Sequence, residues 1–156
     1  MSLESRVSPK CRSWLAGQVV RVITAHLKQE QVELESFDAS DFTPTDAALL
    51  LAKGSVFVTL KIKQNLRGCI GSIMPYEPLY VNIQRMAYSA AFNDPRFPPL
   101  TPAEWPLCSA EISVLSQPTL CPDPSKIEIG RHGLILHYQG RSGVFLPQVP
   151  VEQHWA

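Results

Sequence analysis

The chain has 156 residues, the size of one ordinary domain or of two small lobes that share a core. Its 14 Lys and Arg residues balance its 14 Asp and Glu residues, which argues against a protein that binds nucleic acid through bulk positive charge. No apolar run approaches the roughly 18 residues that a membrane span needs.

The first third of the chain predicts two helices. Apolar residues recur at helical spacing from Lys10 to Gln31, and no proline interrupts them. A second, short helix is predicted from Pro44 to Lys53, because Thr43 supplies an N-cap and Gly54 supplies a stop. Both helices precede the first strand signal.

A β-hairpin is predicted next. The segment SVFVTLKI alternates in polarity, KQN forms a turn, and LRGCIGSI returns as the antiparallel partner. If the alternation is unbroken, Arg67, Cys69 and Gly71 point to one face, whereas Leu66 and Ile70 point to the core. Glycines inside a strand usually mark a bulge or a close approach to the backbone.

A third helix is predicted after Pro78. Its apolar stripe consists of Leu79, Ile83, Met86 or Ala87, and Ala90. The sequence Asn93-Asp94-Pro95 ends this helix, because proline disfavours a helical residue before it. Thr101 and Glu104 have capping-box spacing, which predicts one further helical turn.

The last part of the chain predicts a smaller β-rich lobe. CSAEISVLS alternates as a strand, and the proline-rich QPTLCPDPSK after it indicates a boundary. A second hairpin is predicted, with HGLILHY and VFLPQ as its strands and QGRSG as its turn. The final segment, VPVEQHWA, is typical of the start of a helix, and we expect this helix to be truncated. The predicted fold class is α+β: one domain over residues 1–156, with an antiparallel sheet flanked by helices, in a larger α/β lobe and a smaller β-rich lobe at about 118–150.

Five blocks of sequence carry a family resemblance. LRGCIGS, AAFNDPRFPPLTPAEW, EISVLS, IEIGRHGLIL and GVFLPQVPVEQ, in that order, resemble the AMMECR domain family, which is the A component of the AmmeMemoRadiSam system in many prokaryotes. The resemblance runs from about Gly54 to Gln153 and implies an α+β fold in two lobes. It also implies partners, because family members often sit beside genes for a Memo-like protein and a radical-SAM protein. It implies no particular reaction.

Cys69 is the candidate nucleophile. Gly68 and Gly71 leave backbone N–H groups unshielded, which suits an oxyanion or a small bound anion. Arg67, if it lies on the same face, would lower the pKa of the thiol and attract anions. The alternative is a small buried hydrophobe, because free cysteine is among the most buried residue types.

The sequence NDPRF and one histidine supply further candidates. Pro95 restricts the backbone between Asp94 and Arg96, so Arg96 would grip a carboxylate or phosphate at a pocket wall. The alternative is a helix-end device, in which Asp94 makes a local turn bond and Arg96 pairs with a surface acid. His132 would act as a general base for Cys69, or would be a turn residue bonded to backbone.

Two further polar residues are weaker candidates for binding. Glu111 lies on the less apolar face of its strand. If its carboxylate is buried, it needs a positively charged partner, and Arg67 or Arg131 could serve. The alternative is that this face of the strand is exposed and Glu111 needs no partner. Gln148 would cap the edge of the second lobe or line the same cavity. The sequence holds no glycine-rich phosphate loop, metal triad or Ser-His-Asp elbow, so we expect neither a cofactor nor a bound metal.

Two functions remain open, and with them the question of whether the protein is an enzyme. In the first, the chain is an enzyme, or the substrate-binding subunit of one, with Cys69 in a pocket walled by Arg67, Asp94, Arg96 and His132. In the second, it is a non-catalytic module that docks a partner protein, such as the Memo-like or the radical-SAM protein. The ligand is therefore an unidentified small molecule or protein, and nucleic acid is the weakest alternative.

The cysteines and the N-terminus predict the compartment. Four cysteines are scattered without a CxxC pair, and the N-terminal residues lack the apolar stretch of a secretory signal. We therefore expect a cytoplasmic protein with reduced thiols.

Overall fold

The computed structural model describes residues 7–74 and 76–155, which form two compact units, residues 7–116 and residues 117–155. Within these residues there are four α-helices and two antiparallel sheets, so the predicted α+β class is confirmed. None of the helices described is both long and apolar enough to cross a membrane. The prediction that a secretory signal is absent depends in part on residues 1–6, which lie outside the described residues.

Two helices open the first unit, as predicted. Helix α1, Pro9–Leu27, begins where the Ser8 hydroxyl accepts a hydrogen bond from the Cys11 N–H, and it ends before Gln29, whose φ of 60° is left-handed. Helix α1 is therefore shorter than the predicted segment. Helix α2, Pro44–Leu51, is capped by the predicted residue, because Thr43 Oγ1 accepts from the Asp46 N–H.

A three-stranded antiparallel sheet forms the centre of the first unit. Its strands are β1, Ser55–Ile62, β2, Asn65–Gly71, and β3, Cys108–Leu115, in the spatial order β2-β1-β3. The core-facing side chains of β1 are fully buried: Val56, Val58 and Leu60. Strand β1 is thus the central strand, and β2 and β3 are outer strands.

The β1–β2 hairpin contains a β-bulge, which is one of the two features that the glycines of β2 indicate but which the alternation of polarity does not predict. Lys61 pairs with Leu66 but Leu60 pairs with Gly68, so Arg67 is an extra residue in β2. The prediction of unbroken alternation was therefore wrong at two positions: Leu66 is 39% exposed rather than in the core, and Arg67 is buried. Beyond the bulge the prediction holds, because Ile70 pairs with Val58 and Cys69 pairs with Thr59.

Helix α3, Leu79–Phe92, packs against β1, β2 and α1. The predicted stripe is confirmed, because these residues are at most 1% exposed: Leu79, Ile83, Ala87 and Ala90. The helix ends at Phe92 with Asn93 as its C-cap, as the Asn-Asp-Pro sequence predicts. The predicted capping box also forms: Glu104 Oε2 accepts from the Thr101 N–H, Thr101 Oγ1 accepts from the Glu104 N–H, and a 3-10 helix follows at Trp105–Leu107.

The second unit contains the predicted second hairpin. Strand β4, Leu134–Tyr138, pairs antiparallel with β5, Arg141–Phe145. The turn is tighter than expected, with Gln139 and Gly140 both in the left-handed region at φ 47° and 77°. A short helix, α4, follows at Gln148–Glu152.

Candidate functional site

Cys69 lies in the middle of β2, an outer strand of the sheet. Its side chain is on the face opposite the core, beside Thr59 of β1, and the Thr59 Oγ1 and Cys69 Sγ atoms are 3.2 Å apart. The residue is half-buried. The thiol is therefore held next to a hydroxyl group, on a residue that is neither fully buried nor fully exposed.

The backbone of Cys69 is held by Asp94 and Arg96, in an arrangement that we call the edge clamp. The Cys69 N–H donates to Asp94 Oδ2 at 2.9 Å, and Arg96 Nη2 donates to the Cys69 carbonyl at 3.1 Å. Both side chains come from the loop after α3, where Pro95 restricts the backbone between them. The clamp thus satisfies the donor and the acceptor that Cys69 presents at the open edge of the sheet.

Asp94 and Arg96 also form a forked ion pair with each other. Arg96 Nε donates to Asp94 Oδ1 at 3.0 Å and Nη2 donates to Oδ2 at 2.8 Å. The Asp94 side chain is only 2% exposed, whereas that of Arg96 is 55% exposed. The hydrogen bond from Arg96, together with those from the N–H groups of Cys69 and Arg96, lowers the pKa of Asp94 to about 2 against the opposing effect of burial.

Arg67, the bulged residue, makes a second forked ion pair. Its Nε and Nη2 donate to the two carboxylate oxygens of Glu104 at 2.9 and 3.0 Å, and Nη2 also donates to the Pro98 carbonyl at 3.0 Å. The bond from Arg67 and those from Thr101 lower the pKa of Glu104 to about 2. The guanidinium of Arg67 therefore fastens β2 to the 98–104 loop.

The two signature glycines permit close packing. A Cβ atom on Gly68 would overlap the carbonyl oxygen of Ala90, so the backbone of α3 approaches β2 closely there. A Cβ atom on Gly71 would overlap the ring of Phe57, which pairs with it on the same face as Cys69. The glycines thus admit a helix backbone on one face and an aromatic ring on the other.

Glu111 lies on an exposed part of β3. Its Oε1 atom is 2.9 Å from Lys61 Nζ, so its ion pair is with Lys61 rather than with the predicted Arg67 or Arg131. Arg131 pairs with Glu128 instead. The interpretation of Glu111 as an exposed strand residue is the one that the structure supports.

His132 and Gln148 belong to the second unit. His132 Nδ1 accepts a hydrogen bond from the Glu128 N–H at 3.1 Å, which is the turn geometry that the sequence offered as an alternative to catalysis. Gln148 is the first residue of α4. A role for either residue beside Cys69 stays a prediction.

Two members of the site were missed by sequence reasoning. Glu104 was recognised only as part of a capping box, although its carboxylate also binds Arg67. Thr59 could have been found from the predicted hairpin, because its register places it opposite Cys69. Among residues 7–74 and 76–155, no cluster of three or more His, Cys, Asp or Glu side chains could hold a metal ion.

Comparisons with known proteins identify relatives of the chain. A family described as AMMECR1 matches residues 17–156. Protein TK0174 of Thermococcus kodakarensis is 36% identical, over 96% of this chain and 75% of its own length. The crystal structure of the uncharacterised protein PH0010 from Pyrococcus horikoshii matches with a TM-score of 0.83 and 35% identity, over 96% of this chain and 75% of that one.

Other relatives are considerably longer than the matching region. Protein MK0488 of Methanopyrus kandleri is 48% identical over 68% of this chain, and the match covers 56% of MK0488. The chain thus spans little more than half the length of some of the curated relatives that it matches. The family match over residues 17–156 agrees with the resemblance carried by the signature blocks, and the chain belongs to the AMMECR1 family.

Proposed function

We propose that this chain is a binding module whose recognition surface is the face of the sheet that carries Cys69. The observation that carries the proposal is how the charged residues of the signature are used. Arg96 is paired with Asp94, and Arg67 is paired with Glu104. Asp94 and Arg96 fasten β2 to their loop through the backbone of Cys69, and the Arg67–Glu104 pair fastens β2 to the 98–104 loop. Both arrangements serve a rigid scaffold, rather than directing a fork at a bound anion.

The surroundings of the thiol also support binding over catalysis. A catalytic cysteine needs a neighbouring base or a lowered pKa. The Cys69 sulfur is in contact with the Thr59 hydroxyl. A hydroxyl is a poor base at neutral pH, so this contact orients the thiol and supplies no general base.

The proposed partners are a Memo-like protein and a radical-SAM protein, because genes for both often accompany members of this family. The rim of the surface carries the Lys61–Glu111 ion pair, whose charges suit recognition of a protein surface. We propose the cytoplasm as the site of binding, which the free state of all four cysteines supports.

A pull-down with purified Memo-like and radical-SAM proteins tests the proposal. We expect Cys69→Ser and Glu111→Lys to weaken capture, because both change the recognition surface. Glu30→Lys is the matched control, since it makes the same charge change at an exposed position after α1. Full capture by the Cys69→Ser and Glu111→Lys variants would contradict the proposed surface.

The alternative is an enzyme, or the substrate-binding subunit of one, that uses the Cys69 thiol. It is favoured by the intermediate burial of Cys69 and by the clamp, which fixes the backbone of this residue. Iodoacetamide labelling of the Cys69 peptide, followed by mass spectrometry across a pH series, separates the two functions. A labelling rate that titrates well below the usual thiol value of about 8.5 supports the enzyme, whereas titration near that value removes the nucleophile.

A further inference from the structure

A second candidate site lies in the first unit and shares no residue with the Cys69 site. It is a surface cavity of about 370 Å³ between the start of α1 and the 35–42 segment. Aromatic and acidic side chains line it together. We propose that this cavity binds an organic cation of the alkylammonium class.

Three aromatic rings form the apolar part of the cavity. The ring centroids of Trp14, Phe37 and Phe42 lie 5.5 to 6.3 Å apart, and the rings meet at 66° to 87°. The rings therefore pack edge to face and do not form a flat wall. The negative faces of aromatic rings attract cations, and tryptophan does so most strongly.

A cation of the chain itself already lines this cavity. The Lys10 ammonium lies 5.5 Å from the centroid of Phe42, within the range of a cation–π interaction, and 3.5 Å from Asp41 Oδ1. The side chains of Lys10 and Asp41 are 62% and 66% exposed, so this ion pair is weak and exchangeable. Lys10 thus shows which chemical group the cavity accommodates, and an external ammonium group can compete with it.

The acidic groups suit a large cation better than a metal ion. Glu35 is paired with Arg21 at 2.7 Å, and Asp38 Oδ1 accepts from Ser40. Asp41 faces Lys10, and across the described residues no acidic cluster meets the geometry of a metal site. Metal ions need convergent oxygen ligands, whereas a weakly hydrated alkylammonium group needs only a negative field and an aromatic surface.

The test is an NMR titration of the full chain that follows the three tryptophan indole N–H signals. The ligand is choline, and its uncharged isostere 3,3-dimethyl-1-butanol is the control ligand. We expect choline to move the Trp14 signal in a saturable way and to leave the Trp105 and Trp155 signals in place, because neither lines the cavity. The isostere should bind about two- to five-fold more weakly, the factor that a surface cation–π contact contributes.

Variants of the full chain test the competition with Lys10. We expect Lys10→Gln to bind choline about two- to five-fold more tightly, because the internal competitor is gone, and Phe42→Leu to bind it more weakly. Lys28→Gln, which removes an exposed positive charge at the end of α1, should leave the affinity unchanged. Equal binding of choline and its isostere, an unmoved Trp14 signal, or no gain in affinity with Lys10→Gln overturns the proposal.

Discussion

Asp94 has a buried carboxylate, and its negative charge is balanced by the Arg96 guanidinium and by two peptide N–H groups. Removing one partner of such a pair is costly, because the remaining charge stays buried without compensation. Of its contacts, the bond to the Arg96 N–H was predictable, since it is the local turn bond that the sequence indicates. The contact with Cys69 spans 25 residues, and local spacing carries no information about it.

Loss of the Arg96 side chain should therefore destabilise the protein. We expect Arg96→Ala to lower the free energy of unfolding by about 2 kcal/mol, less than for a fully buried pair because Arg96 is half-exposed. Arg85→Ala, which breaks a more exposed pair with Glu77, should cost no more than about 0.5 kcal/mol. Urea denaturation of both variants checks this, and equal losses would show that the clamp adds little to stability.

The lowered pKa values of Asp94 and Glu104 predict acid sensitivity. Both fall to about 2, from ordinary values of 3.8 and 4.5. A carboxyl group whose pKa is lower in the folded state contributes its stabilisation fully above the unfolded pKa and loses it as the pH falls towards the folded pKa. The free energy of unfolding should hence fall as the pH drops from about 4.5 to about 2.

Glu104→Gln tests this assignment. Denaturation midpoints measured across that pH range should change less steeply in this variant than in the wild type, because one of the two titrating groups is gone. An unchanged slope would assign the acid sensitivity to other carboxylates.

Strand β2 shows how far a pattern can predict an element. Its hairpin with β1, its antiparallel direction and the outward position of Cys69 follow from alternation and a turn. The bulge at Arg67 does not follow, because it depends on Glu104 and Pro98, which lie more than 30 residues later. The glycines in β2 did indicate a bulge or a close approach, and the structure contains both.

Because β2 approaches α3 closely at Gly68, adding a methyl group at this position should destabilise the protein. Gly68→Ala should lower the free energy of unfolding by about 3 kcal/mol, because the new Cβ meets the backbone oxygen of Ala90, which cannot rotate away. Gly17→Ala is the matched control: no atom lies near its Cβ position in α1, so a gain of about 0.5–1 kcal/mol is expected. Thermal unfolding compares the two, and similar effects would exclude close packing at Gly68.

A Cβ atom at position 71 would overlap the side chain of Phe57, so a second substitution at Phe57 should relieve the overlap. Gly71→Ala forces the Phe57 ring to move, so Phe57→Ala should remove most of the added cost. A double-mutant cycle measured by urea denaturation checks this coupling. Strictly additive losses would show that the ring does not limit the size of residue 71.

At the scale of the whole molecule, the chain divides between Ser116 and Gln117. The proline-rich segment there was recognisable from composition alone, since proline cannot continue a strand or a helix. What composition could not provide is the hydrogen-bond partner of His132, whose Nδ1 accepts from the Glu128 N–H inside the second unit.

The link between the units should be the first place where a protease cuts. Leu120 is 99% exposed, and Cys121 after it is also exposed. Brief chymotrypsin digestion should therefore cleave after Leu120 and leave residues 1–120 as the larger product, identified by mass spectrometry. Initial cleavage within α1 or α3 would contradict this expectation.

The edge clamp also bears on how the molecule behaves at high concentration. Outer strands with free peptide groups can recruit the same strand of another chain, which is how ordered aggregates begin. On β2, the peptide groups of Cys69 are already occupied by Asp94 and Arg96. Resistance to aggregation should consequently depend on the side chains of Asp94 and Arg96. Their loss would leave the peptide groups of Cys69 free to pair with a strand of another chain and so begin a fibril.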